Sequence, residues 1–143
     1  MLAQDSLRVS VLRSIKSAFT YAKVAPGAKI ADDGKLDDET VVQLLAKEAK
    51  KRQESADSFE KAGQPQRVEA ELAEKAIIDA YLPAQLSEEE LRELVETEVA
   101  KLEEVSRSSS RAMGQVIGAV KQQAGPAADG GLIARLVKER LAA

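Results

Sequence analysis

Ser108, Ser109 and Ser110 form a compact group of hydroxyls that could supply a nucleophile. A serine attacks only when a general base takes its proton, and the chain has no His and no Cys. Lys is the sole candidate base, so a helix-capping role for one of the three serines is the simpler expectation. The same absences exclude a His-based triad, a Cys nucleophile, a Cys/His zinc site and a disulfide framework. Glu69 with Glu71, or the run Glu88, Glu89, Glu90, offers carboxylates for a divalent cation. At a helix start such residues are better explained by capping and the helix dipole. No Gly-x-x-x-x-Gly-Lys-Ser/Thr loop is present, and apart from Gly114 and Gly118 the glycines fall where helix ends are expected. The expectation is therefore a protein with no catalytic residues, no metal and no cofactor.

Charge is more informative than nucleophiles. The net charge is -3, but it is unevenly spread: residues 1–36 are net basic, 37–83 net acidic, 84–105 strongly acidic and 106–143 basic again. The acidic stretch holds Glu88, Glu89, Glu90, Glu93, Glu96, Glu98, Glu103 and Glu104 against Arg92 and Lys101. The last stretch holds Arg107, Arg111, Lys121, Arg135, Lys138 and Arg140 against Asp129 and Glu139. An acidic face beside a basic one follows, and solvated helix surface is the bland explanation of both. The basic region is the best candidate site. It contains no aromatic residue, so any RNA contact must use phosphates, 2'-hydroxyls, helix amino termini and shape, not base stacking.

The elements that must position these residues are helical. Apolar residues make up 44% of the 143 and aromatics 3%, so the core is aliphatic, and no β-branched run bounded by turn residues suggests a strand. Leu7, Val11, Leu12, Ile15, Phe19 and Ala22 mark a first helix, followed by a loop from Ala25 to Leu36. Asp37 caps a long helix whose seam is Val42, Leu45, Ala49, Arg52, Ala56 and Phe59. After the Gly63 to Pro65 turn an antiparallel partner runs to Leu82, with Ala70, Ala73, Ile77 and Tyr81 as its expected buried stripe. Beyond Pro83, Ser87 and Glu90 form a capping box for a helix carrying Leu91, Leu94, Val95, Val99, Leu102 and Val105. A second short helix carries Met113, Val116, Ile117 and Val120, and a third, capped by Asp129, carries Leu132, Ile133, Leu136, Val137 and Leu141. Gly114 and Gly118 at Gly-x-x-x-Gly spacing predict a close helix crossing or, less simply, an approach by RNA backbone. The predicted fold is all-α: a helical hairpin domain over 1–83 and a three-helix domain over 84–143.

Several strings carry a family resemblance: Lys47-Glu48-Ala49-Lys50-Lys51-Arg52-Gln53-Glu54, Phe59-Glu60-Lys61-Ala62-Gly63, Met113-Gly114-Gln115-Val116 and Ala128-Asp129-Gly130. Most specific is Tyr81-Leu82-Pro83-Ala84-Gln85-Leu86-Ser87-Glu88-Glu89-Glu90. In this order and spacing they resemble the GatB/YqeY-like family over nearly the whole chain. Members look like the carboxyl-terminal tail of the B subunit of the tRNA-dependent amidotransferase, which converts Glu-tRNA(Gln) or Asp-tRNA(Asn) to the amide form. Family members usually begin with a further amphipathic helix of about five turns, whereas this chain starts close to the second. They also tend to carry an Arg in the turn that here reads Gly125-Pro126-Ala127-Ala128-Asp129-Gly130.

The resemblance implies a non-catalytic accessory module that holds tRNA or another structured RNA, with Arg107, Arg111, Lys121, Gly130, Arg135 and Lys138 as the binding residues. A protein-interaction adaptor, using the acidic helix and the hairpin seam, is the competing expectation. A third is a glutamine-dependent carbon-nitrogen ligase label carried over from the longer homologue. With no signal-like start and no segment near the roughly 18 apolar residues of a membrane span, a cytoplasmic location without a membrane partner is expected.

Overall fold

The computed structural model describes residues 3–143. It contains α1 (Ala3–Val24), α2 (Asp38–Lys61), α3 (Pro65–Asp79), α4 (Glu88–Ala100), a 3-10 turn (Glu104–Ser106), α5 (Ser110–Ala124) and α6 (Gly130–Ala142). Among the described residues there is no strand, only an isolated antiparallel bridge between Ile30 and Leu36 in the α1–α2 loop. The fold is all-α. It divides into two compact units, Met1–Leu82 and Pro83–Ala143.

In the amino-terminal unit Val11 and Ile15 of α1 meet Leu45 and Ala49 of α2 and Ile78 of α3, with Phe19, Val41, Ile77 and Leu82 packed around them. Asp37 starts α2 by accepting the Thr40 N–H at 2.9 Å. Gly63, at φ 67°, supplies the left-handed residue that ends α2, and Pro65 opens α3 where its missing N–H costs nothing. The seam also contains ionic groups. Arg52 donates to Glu48 at 2.8 Å, to Glu74 of α3 at 3.1 Å and to Ser14 of α1 at 3.4 Å. Glu48 is only 8% exposed and also accepts from Lys51 at 3.1 Å. A carboxylate so placed needs such partners, because desolvation without them is costly.

That network explains a difference from the expected α3 stripe. Ala70 and Ala73 are exposed and Tyr81 is 48% exposed, while Ile78 is fully buried and Glu71 and Glu74 are half-buried. The inward face is rotated because Glu74 must point at Arg52, and Ile78 follows it one turn later. Tyr81 sits at the edge, where its hydroxyl takes a hydrogen bond from Arg8 at 3.3 Å.

The carboxyl-terminal unit has a purely aliphatic centre: Leu91, Val95 and Val99 of α4, Val116 and Val120 of α5, and Ile133, Leu136 and Val137 of α6. Both halves of the Ser87–Glu90 capping box form, with Glu90 N–H to Ser87 Oγ at 3.1 Å and Ser87 N–H to Glu90 Oε2 at 2.7 Å. The expected extension of this helix to Val105 ends instead at Ala100, and Val105 is 88% exposed. Leu102 still packs on the core, so once it is in place nothing apolar holds the next turn in helix. Gly114 and Gly118 differ from the expected crossing as well. No atom lies within 4 Å of a side-chain carbon built on either, because α5 buries the opposite face through Ala112, Val116 and Val120.

Candidate nucleic-acid interface

The cations of the carboxyl-terminal unit fall into two groups. One is consumed by α4. Arg92 donates to Glu88 at 2.8 Å and to Glu139 of α6 at 3.4 Å, and the Glu88 hydrogen bond is the main reason its guanidinium is held above its ordinary pKa. Arg135 lies 3.5 Å from Glu88 and 3.8 Å from Glu139, and Arg140 pairs with Glu96. The acidic helix and the basic one therefore neutralise each other along a shared edge. Glu98 turns the other way, accepting from Lys101 and from Gln123 of α5, each at 2.7 Å. Lys101 first and Gln123 second hold its carboxyl below the usual range.

The other group is unpaired. Among the described residues Arg111, Lys121 and Lys138 are exposed and make no ion pair. Arg111, Gly114, Gly118 and Lys121 follow steps of three, four and three, which places them along one side of α5. That side carries two bare glycines between two cations, so another molecule's backbone can come close to the helix there. Lys121 lies across the start of α6: a side-chain carbon on Gly130 would fall 2.8 Å from its Cε and 2.9 Å from its Nζ. Gly130 thus acts by making room for Lys121. The first N–H groups of α6 are not open, since Asp129 Oδ1 accepts from Gly131 at 2.9 Å and Leu132 at 3.4 Å.

Of the six residues expected from the sequence, Arg111, Lys121 and Gly130 belong to the surfaces of α5 and of the α6 start. Lys138 is exposed on the outer side of α6, and Arg135 is engaged by two glutamates. Arg107 follows the 3-10 turn half-buried, with its Nε buried and without a hydrogen-bond partner. Ser109 caps α5, accepting the Ala112 N–H at 3.2 Å while its own hydroxyl donates to the Ser106 carbonyl at 2.8 Å. Ser108 donates to the Val105 carbonyl at 3.4 Å. Both hydroxyls are thus directed at backbone carbonyls and not at a basic side chain. Among the described residues no group of three or more His, Cys, Asp or Glu could hold a metal ion.

In the other unit the sequence places Arg52 in the α2 seam but not its partners Glu48 and Glu74, and this polar seam borders an open groove of about 630 Å³ lined in part by Arg52, Ser55, Ser58 and Glu74. The four-residue spacing of Glu48 and Arg52 was a usable signal. Nothing local pointed to Glu74, twenty-two positions from Arg52.

Helices alone build both units, and in the carboxyl-terminal one α4 exposes glutamates while α5 exposes Arg111 and Lys121: the molecule is an all-α helical-bundle protein. The family model described as Yqey-like protein matches residues 1–141, and the chain belongs to that family, whose domain is also found at the GatB carboxyl terminus. No curated protein sequence matches it at a significant level. Among the described residues no helix is long and apolar enough to cross a membrane.

Proposed function

We propose that this chain is a non-catalytic accessory module that binds tRNA or a related structured RNA through the sugar-phosphate backbone. The observation that carries the reading is the sorting of cations in the carboxyl-terminal unit. Arg135 and Arg140 are spent on α4, whereas Arg111 and Lys121 flank the bare glycine face of α5 and Lys138 stands free on α6. Phosphates suit such a face because the helix backbone offers no bulk to exclude them and the flanking cations release counterions on contact. Bases would not be stacked, since this unit has no aromatic platform, and contacts to phosphates position a complex without reading sequence.

Fluorescence anisotropy with labelled tRNA over a salt series tests the reading. Reversing Arg111, Lys121 and Lys138 to Glu should weaken binding of different tRNA sequences alike and flatten the salt dependence. Unchanged affinity with a folded variant would sink it. Recovery of a protein partner in nuclease-treated lysate, with no RNA bound at low salt, would put the adaptor reading in its place.

A further inference from the structure

The longest stretch without an acidic residue lies in the other unit. Between Asp5 and Asp32 there is no Asp or Glu, while Arg8, Arg13, Lys16, Lys23 and Lys29 all fall within it. Arg8 is engaged by the Tyr81 hydroxyl. Arg13, Lys16 and Lys23 are exposed and, among the described residues, make no ion pair. Their placement on α1 follows from its packing. Val11 and Ile15 are buried and Phe19 packs against the same core, so the opposite side of the helix is free. Ser10, Arg13, Ser17, Thr20 and Val24 recur along it at steps of three and four, with Lys16 and Lys23 on one flank and Tyr21 on the other. Tyr21 and Val24 are each 79% exposed. The face therefore combines three unpaired cations spread over about 15 Å, the hydroxyls of Ser10 and Ser17, and one aromatic ring open to solvent, while the Thr20 hydroxyl donates to the Lys16 carbonyl at 2.9 Å.

We infer that this outer face of α1 is a second RNA-binding surface, taking phosphates of a single-stranded or looped segment on Arg13, Lys16 and Lys23 and stacking a base on Tyr21. Cations with interleaved hydroxyls track a phosphodiester chain, and an exposed aromatic ring supplies the sequence-tolerant stacking that the carboxyl-terminal unit lacks. A lipid surface fits less well. A helix that lies in a bilayer interface needs its apolar stripe free, and here that stripe is already in the core. The surface shares the ligand class of the proposed function but stands on different residues in the other unit.

The test uses the full-length chain with a fluorescein-labelled oligouridylate and, separately, labelled tRNA. Arg13→Glu/Lys16→Glu/Lys23→Glu should weaken oligouridylate binding at least about tenfold at low salt and reduce the log K against log salt slope by about two. Tyr21→Ala should cost about tenfold while Tyr21→Phe retains affinity. Because the chain has no Trp and two Tyr, quenching of intrinsic tyrosine emission by oligouridylate should be lost in Tyr21→Phe. Circular dichroism and the melting temperature report folding, and the corresponding Gln variants replace the reversals if those unfold. Unchanged affinity and slope in the α1 variants would overturn the inference, whatever the Arg111, Lys121 and Lys138 reversals do. Loss confined to the α1 variants would support it while overturning the carboxyl-terminal site. Salt-sensitive binding to phosphatidylglycerol vesicles, abolished by the same reversals and unaccompanied by RNA binding, would make the face a membrane contact instead.

Discussion

The two units are both helical bundles, yet they are held together differently. In the amino-terminal unit an Arg–Glu network reaches across three helices, from Ser14 through Glu48 and Arg52 to Glu74, beside a small apolar cluster. In the carboxyl-terminal unit eight aliphatic residues close a dry centre, and the ion pairs lie outside it, between α4 and α6. A buried ionic seam adds little net stability relative to apolar packing but penalises every register in which its members are unpaired. An aliphatic centre stabilises strongly and leaves the surface cations available for other uses. An arginine placed in a seam, as Arg52 is, is committed to its carboxylates, whereas a surface arginine such as Arg13 or Arg111 stays open to solvent.

The largest effect should come from the aliphatic unit. Ile133→Ala empties a fully buried site and should destabilise that unit by about 4 kcal/mol. Hydrogen exchange should show protection lost in α4, α5 and α6 and kept in α2. Equal loss in α2 would mean that the two cores do not behave as separate units.

Next is the seam. Arg52→Ala leaves the buried Glu48 with Lys51 as its remaining cation and Glu74 without Arg52, and should cost about 3 kcal/mol by denaturant unfolding. Glu48→Leu/Arg52→Met/Glu74→Leu should recover most of that loss, because the apolar trio needs no compensation. A cost for Arg52→Ala as small as that of a surface pair, about 0.5 kcal/mol, would erase the contrast between the units.

A smaller change is expected from Ser87→Ala, which removes one side of the α4 capping box and should cost about 1 kcal/mol, read as a shift in the melting temperature. The smallest concerns acid. Asp37 is held below the usual carboxylate range by hydrogen bonding from Thr40, side chain first and then N–H, and Glu98 is held low by Lys101 and Gln123. Folded carboxyls that bind protons less readily than unfolded ones contribute stability at neutral pH that is lost as pH falls below about 4. Asp37→Asn should blunt that acid loss in the amino-terminal unit and Glu98→Gln in the other, seen in melting temperatures between about pH 3 and pH 6.

Much of this was legible in the residues. Asp37, Ser87 and Asp129 were read as caps, and each accepts the backbone N–H groups that a cap must satisfy. The stripe Leu91, Val95, Val99 and its counterparts Val116, Val120, Ile133, Leu136 and Val137 came from helical spacing alone, since a dry aliphatic face has no other explanation. Of the α3 stripe Ile77 does pack on the core, but Ala70, Ala73 and Tyr81 lie outside it, because Ala is compatible with either side of a helix and the position of Glu74 depends on Arg52. The Gly114–Gly118 pair was misread for a related reason: spacing shows that two glycines share a side, not which side.

The helices, their caps, the aliphatic character of the carboxyl-terminal core and the uneven spread of charge are written locally in the chain, because these depend on neighbours within a few positions, whereas the end of α4 at Ala100 does not. Pairs within one helix, such as Glu88 with Arg92, follow from spacing, but which charges cancel between helices depends on the packing. Arg135 and Arg140 are as basic in the sequence as Arg111 and Lys121, but α6 lies against α4 and α5 turns its glycine side outward, so the first pair meets glutamates and the second meets solvent. Coulomb attraction between exposed charges is about 1 kcal/mol at 4 Å in water and is screened over about 8 Å at physiological salt, so the outcome between helices rests on distances that their packing sets.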